Sequence, residues 1–368
     1  MNRLDFFMNN RQEKFLRLLQ ATLYPEKTFH IEADGAEVKE LMRMAKKQSV
    51  IGLFIDYMFE HDLIKGDLDM SLLSMLTLTK RENLLINKEI GDFIRLLNSE
   101  HIPAIFVKGQ MIASLYPNPA LRQPGDVDFY CVTKDRERLT DILNTTRTIN
   151  LKHSSTRHEE FNLNNVQFEM HSTLTDFTDK KHVAYWEELM TEEMAKTYCV
   201  KAENTCVPTL SSTVNAVYLF LHIFEHFVLS GIGLRQFCDW AMLLHHQHEE
   251  IDKALVEKHL KALGMTKAFK ACGSILVNYL GVSKEEFPLP ISKMDQRRGE
   301  RILKDIFRMG NFGKEKRKVK KGGLLHSLET GWIAAMQSIK FFWLAPKEIM
   351  LIYLKKLNWF TQKYRAKG

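Results

Sequence analysis

Two long tracts of helical periodicity bracket about 75 residues that cannot be helical throughout, and this interruption constrains the fold more than any other feature. Across residues 10–99 apolar side chains recur every three or four positions, as in Phe15, Leu18, Leu19 and again in Leu84, Leu85, Ile90, Phe93, Leu96 and Leu97. That spacing predicts amphipathic helices whose role is packing. At His101 the pattern changes. Residues 102–107 form a short continuous apolar run suited to a buried strand, ending at Lys108-Gly109. A helix of about two turns is expected over 110–116, stopped by Pro117 and Pro119. Residues 121–125 are turn-rich, 126–132 read as a second strand, 134–146 as a helix, 150–164 as interrupted strand material and 166–171 as a third clear strand. Strands and helices in this order make an α/β or α+β module. Past Tyr185 the helical period returns over 211–229, 234–247, 251–263 and 266–280, and the two prolines within 281–290 predict a hinge.

Within the module, the second and third strands place carboxylates in a chemically meaningful pattern. Asp126 and Asp128 are two apart on a strand, so both project from one face while Val127 and Phe129 point to the other. Like charges side by side repel, and a divalent cation between them removes the penalty; hard oxygen donors suit Mg²⁺ or Mn²⁺. Glu169 lies between apolar neighbours on the third strand, where an adjacent strand could bring it beside the pair. Lys108-Gly109 marks a strand-to-helix turn, where free backbone N–H groups attract phosphate. Phosphate cradle, paired aspartates and a third acid are the parts of two-metal phosphoryl or nucleotidyl transfer. Each alone has a plain structural reading: a solvated strand end, an edge-strand acid, an ordinary turn.

The segment from Val107 through Lys108, Gly109, Tyr116, Pro117, Arg122, Gly125, Asp126 and Asp128 to Phe129 resembles the signature of an uncharacterised bacterial nucleotidyltransferase family of the polymerase-β-like superfamily. Phe168-Glu169-Met170-His171 is similar to that family's acid-x-His strand, and His222 to His226 followed by Leu234 to Asp239 to its C-terminal helical signature. The resemblance covers roughly residues 35–280 and is most specific over 108–128. It implies an α+β fold with a small mixed nucleotidyltransferase-like sheet flanked by N-terminal helices and a C-terminal helical domain. The expected divisions are 1–100, a helical segment; 101–182, the α/β core; 183–290, the helical domain; and 291–368, a basic helical tail. By the same resemblance Asp126, Asp128 and Glu169 would hold Mg²⁺ or Mn²⁺ and carry catalysis, and Gly109 would shape the phosphate turn, with Gly125 beside it. A nucleoside triphosphate would be the donor and an unidentified hydroxyl the acceptor; a non-catalytic nucleotide- or nucleic-acid-binding protein is the alternative. Where the wider superfamily has a Gly-Ser turn, this chain has Lys108-Gly109-Gln110. Lys108 would then meet phosphate as a point charge, and Arg122 either grips it bidentately or pairs with a nearby acid.

Other histidines admit more than one role. His222, Glu225 and His226 fit the inverted zinc-protease pattern H-x-x-E-H, but no residue downstream stands out as a third ligand. His222, His226 and Asp239 either line the cleft opposite the carboxylates or are satisfied core residues. His171 shares a strand face with Glu169 and either orients it, takes a proton or bonds a neighbour.

Composition limits the remaining possibilities. With 368 residues, 45% hydrophobic and 26% charged, the chain is neither collagen-like nor wholly disordered. The net charge of +7 is uneven: residues 297–368 hold 18 Lys and Arg against 5 acids, leaving the preceding residues at −6. That tail, with aromatic residues among its lysines, suits nucleic acid, an anionic membrane surface, or a solvated basic helix face. Five cysteines without a CxxC pair predict neither a disulfide framework nor a zinc knuckle and favour a reducing compartment. The acid-bearing N-terminus is unlike a signal peptide, and no apolar run approaches the roughly 20 residues needed to cross a bilayer. A cytoplasmic location is the expectation.

Overall fold

The computed structural model describes residues 8–26, 33–64, 68–147, 152–153, 158–196, 198–202, 205–311 and 323–365. Four helices come first: α1 (Asn10–Leu23), α2 (Gly35–Lys47), α3 (Ile51–Glu60) and the long α4 (Leu68–Ser99). The central module follows as β1 (Ile105–Val107), α5 (Gly109–Ala113), a 3-10 turn (Pro119–Leu121), β2 (Val127–Tyr130), α6 (Thr133–Arg147), β3 (Lys152–His153), β4 (His158–Leu163) and β5 (Val166–His171). After it come α7 (Lys180–Met194), the hairpin β6 (Cys199–Ala202) and β7 (Thr205–Pro208), then α8 (Ser212–Leu229), α9 (Leu234–Gln247), α10 (Lys253–Ala262), α11 (Thr266–Tyr279), α12 (Lys293–Met309), α13 (Gly323–Phe341) and α14 (Pro346–Arg365). The fold is α+β, as the sequence predicts.

The main sheet has the order β1-β2-β5-β4-β3, with β2 and β5 parallel and the other pairs antiparallel. A two-residue turn closes the β4–β5 hairpin, with Asn164 and Asn165 both at positive φ. This is the geometry that matches strand twist, and Asn is among the few residues that accept it. Period-two alternation then sends Phe129, Phe161, Phe168 and Met170 to one face. There they pack on Phe93 of α4, whose ring lies 5.0 Å from Phe168 and 5.2 Å from Phe129. The acids are left on the opposite face.

A second, larger core runs through the helices and includes residues from α1 to α3, the nearly fully buried α8, and α9, α11 and α12. Among the described residues α8 is the one helix long and apolar enough to cross a membrane, and 78% of it is buried inside the protein. Residues 281–290 do not stand off as the expected hinge, because Val282, Phe287 and Leu289 are drawn into this core. The cysteine expectation also needs correction. Cys199 and Cys206 are disulfide-bonded across the β6–β7 hairpin, which brings their Cα atoms to 5.5 Å. Seven residues of separation look unremarkable until the chain folds back between them. Cys131, Cys238 and Cys272 are free and buried.

The tip of the Phe287 ring is pressed against α11 at Gly273, where an added Cβ would meet Cζ at 1.9 Å. Helix propensity alone favours Gly→Ala by about 1 kcal/mol, but overpacking a core costs about 1–3 kcal/mol. Gly273→Ala is therefore expected to lower the urea unfolding midpoint at unchanged slope; a raised midpoint would show that the ring yields freely.

Candidate active site

The parallel register of β2 and β5 sets Asp128 directly beside Glu169 and Tyr130 beside His171. Asp126, immediately before β2, stands exposed at the lip, whereas Asp128 is only 3% exposed. The three carboxylates foreseen from the sequence thus share one face. Asp128 Oδ1 accepts from Lys108 Nζ at 2.9 Å and meets His171 Nε2 at 2.8 Å, and His171 Nε2 lies 3.6 Å from Glu169 Oε2. Burial opposes the charge on Asp128, but the Lys108 ammonium and the His171 hydrogen bond outweigh it and hold the carboxyl well below the usual range. Asp126 moves the other way. Desolvation and the adjacent Asp128 charge push it up to about 7, and it shares a hydrogen bond with Glu169.

Lys108 owes its position to an unusual backbone. It caps α5 at φ 57°, ψ −154°, a region nearly reserved for glycine, and Gly109 follows at φ 47°. Such a conformation costs about 1–3 kcal/mol and persists where surrounding contacts enforce it. The contacts here are Asp128 and the Tyr218 phenol of α8, which also accepts from Lys108. Burial would lower the Lys108 pKa, but Asp128 reverses the effect and keeps the ammonium charged. Lys108, Gly109, Gln110, Asp126 and Asp128 line a small cleft.

His222, one turn after Tyr218, faces the same charges. Burial, then Lys108, His226, Arg235 and His171, drive its pKa well below normal, so it is neutral. The rings of His222 and His226 are 4.4 Å apart. Among the described residues no third ligand joins them in a metal-binding group.

Of the readings open for Arg122 and Asp239, the structure shows the acid pair and the satisfied core residue. Both are buried, and Arg122 forks onto Asp239 through Nε–Oδ1 and Nη2–Oδ2 contacts of 2.7 Å each, while the Tyr116 hydroxyl donates to Oδ1 at 2.7 Å. The guanidinium planned for phosphate is occupied by an acid 117 residues away. This pair ties the loop after α5 to α9. Asn83 of α4 secures the same loop, donating to Ala120 O and Arg122 O, and Gln110 in turn donates to Asn83 Oδ1 at 2.8 Å.

Sequence reasoning missed Arg235. It sits in the first turn of α9, where a cation opposes the helix dipole, and that mismatch was the available signal. Its Nη1 donates to Gln123 O and Pro124 O, Nε has no partner, and no carboxylate pairs with it among the described residues. Its head reaches Gly125, where a Cβ would lie 3.6 Å from Nη1. The half-buried Arg235 cation thus lies at the lip beside Asp126.

Among the described residues, two groupings have donor atoms close enough for a cation: Asp128 with Glu169 and His171, and His158 with Glu160 and Glu169. No curated protein matches the chain. The sequence model of a family described as an uncharacterised nucleotidyltransferase matches residues 34–281, about two-thirds of the chain, from α2 through the sheet to the end of α11. The chain belongs to this nucleotidyltransferase family.

Proposed function

We propose that the protein moves a nucleoside monophosphate from a nucleoside triphosphate to an acceptor hydroxyl, with Mg²⁺ or Mn²⁺ held by Asp126, Asp128 and Glu169. The observation that carries this reading is the row of three carboxylates on one sheet face, next to the Lys108–Gly109 turn, in a chain of this family. The residues suit a divalent cation: they offer hard oxygens, and burial together with the adjacent Asp128 charge leaves Asp126 raised and sharing a hydrogen bond with Glu169. The chemistry such ions supply when bound is a lowered pKa of the acceptor hydroxyl and neutralised charge on the departing pyrophosphate.

The chain's own residues do the rest. Lys108 and Arg235 flank the carboxylates from two sides and supply positive charge to the triphosphate. The acceptor oxygen forms a bond to the α-phosphorus as the bond to the β-phosphate bridge breaks. Its proton passes to solvent water and pyrophosphate leaves, Glu169 serving as the third metal-holding carboxylate. His171 holds Asp128 in place throughout, and neutral His222 adds no competing positive charge. One observation favours binding without turnover: Asp128 Oδ1 already serves both Lys108 and His171, and one of them must withdraw for an ion to use that atom.

Release of pyrophosphate from the four nucleoside triphosphates, with Mg²⁺ and a panel of hydroxyl acceptors, decides between the two. Wild type should release it and Asp128→Asn should fall by about 10³-fold, the scale of losing a preorganised electrostatic group. Nucleotide binding without release under every condition would leave the binding reading standing.

Arg235→Ala should raise KM for the triphosphate about tenfold with kcat within a factor of two or three, consistent with losing about 1.4 kcal/mol of uniform binding. A fall in kcat at constant KM would assign it elsewhere.

Lys108→Gly and Lys108→Ala remove the same ammonium, but only glycine relaxes the positive φ. Both should lose activity, while the glycine variant should be the more stable by about 1 kcal/mol in urea unfolding. Equal stabilities would mean that the turn carries no strain.

A further inference from the structure

β4 carries a second set of metal-ligating side chains onto the face that holds the carboxylates. His158 and Glu160 are two apart on the strand, and antiparallel pairing sets Glu160 opposite Glu169 and His158 opposite His171. Asp128, Glu169 and Glu160 therefore stand in line across three neighbouring strands, with Tyr130, His171 and His158 in the next row. Directly opposed like charges destabilise a sheet. Lys108 and His171 answer Asp128, and Gln167 Nε2 lies 3.4 Å from Glu169 Oε1. Around Glu160 the contact is His158 Nε2 at 3.3 Å, and Lys152 stands opposite it in backbone register on β3.

We propose that His158, Glu160 and Glu169 form a binding site for a transition-metal dication of the Mn²⁺ or Zn²⁺ class, separate from the Asp126–Asp128 pair and sharing Glu169 with it. One donor atom from each of the three lies within 4.8 Å of the others. The 3.3 Å between His158 Nε2 and Glu160 Oε1 is close to the edge of a tetrahedron with bonds of about 2.1 Å, roughly 3.4 Å. An imidazole among the donors selects against Mg²⁺ and for softer dications. The side chains of His158, Glu160 and Glu169 are 27%, 29% and 16% exposed, so an ion reaches them from solvent without opening the fold. The two histidines divide the face between them. Their rings lie 5.2 Å apart, and His171 is turned to Asp128, leaving His158 as the imidazole on the β4 side. The site does not depend on the nucleotidyl-transfer reading, because it is defined by ion binding alone.

Co²⁺ is a spectroscopic probe for such a site. The full chain, stripped with chelator and titrated with CoCl₂ without nucleotide, should show visible ligand-field absorption on binding. His158→Gln and Glu160→Gln should each lose one bound equivalent, or weaken it at least tenfold, whereas Asp126→Asn/Asp128→Asn should keep that equivalent. No Co²⁺ binding by wild type would overturn the proposal. So would His158→Gln and Glu160→Gln variants that bind as wild type does, or an equivalent lost only when the aspartates are changed. Circular dichroism of each variant separates loss of the site from loss of the fold.

Discussion

The carboxylate of Asp128, almost wholly removed from water, is the constraint around which this molecule is organised. An unpaired charge so buried would cost several kcal/mol, and breaking one such pair typically costs about 3–5 kcal/mol. Lys108 and His171 prevent that, and each requires a particular piece of architecture. His171 is in reach because β5 runs parallel to β2 in the register that sets Asp128 beside Glu169. Lys108 is in reach because the turn after β1 adopts a strained backbone. Tyr218 extends the arrangement to the largely buried α8, so this charge is one of the places where the sheet and the helical core meet.

Arg122 and Asp239 repeat the principle a step away. Their fork buries two opposite charges with every close contact used, and Tyr116 adds a third donor. Its consequence lies in what it positions. By joining the loop before β2 to α9 it fixes the lip that carries Gly125 and Asp126 against the first turn of α9. Arg235 emerges there with its unpartnered Nε. Burial and the nearby Arg122 charge push the Arg235 guanidinium down, which makes an anion at this lip its natural complement.

The elements that local pattern controls were legible in the sequence. Acids at 126 and 128 alternating with Val127 and Phe129 define two faces by period alone, and Glu169 between Phe168 and Met170 does the same. What the pattern lacks is long-range pairing. Nothing near Arg122 announces an aspartate in another helix, so a phosphate role looked equally natural. Cys199 and Cys206 carry no spacing signature because a hairpin, not a motif, joins them. The prolines near 290 mark a break in helicity, yet Val282, Phe287 and Leu289 decide that the segment packs down. Glu160 and His158 looked like interrupted strand material, since their partners become visible only once β4 pairs with β5. Much of the basic run near 320 lies outside the described residues.

The excess positive charge after residue 297 takes on a different meaning where it is described. Asp305 is buried and bonds to Gln337, Lys340 and Arg308, and Lys347 pairs with Asp179. Glu348, also buried, accepts from the backbone of Thr178 at 2.9 Å and meets His182 Nδ1 at 2.9 Å. Phe341 stacks edge-on against Phe227 of α8 at 4.5 Å. These contacts dock α13 and the start of α14 on the helical core, with charges closing over an apolar seam. Among the described residues, Arg298, Arg308, Lys340, Lys347 and Lys355 of the tail therefore answer acids of the protein itself. A polyanion is not needed to explain them, and Lys108 and Arg235, the cations beside the carboxylates, lie in a part of the chain that is net acidic. That division suits the carboxylate cluster, since a strongly basic surround would repel any cation drawn to it.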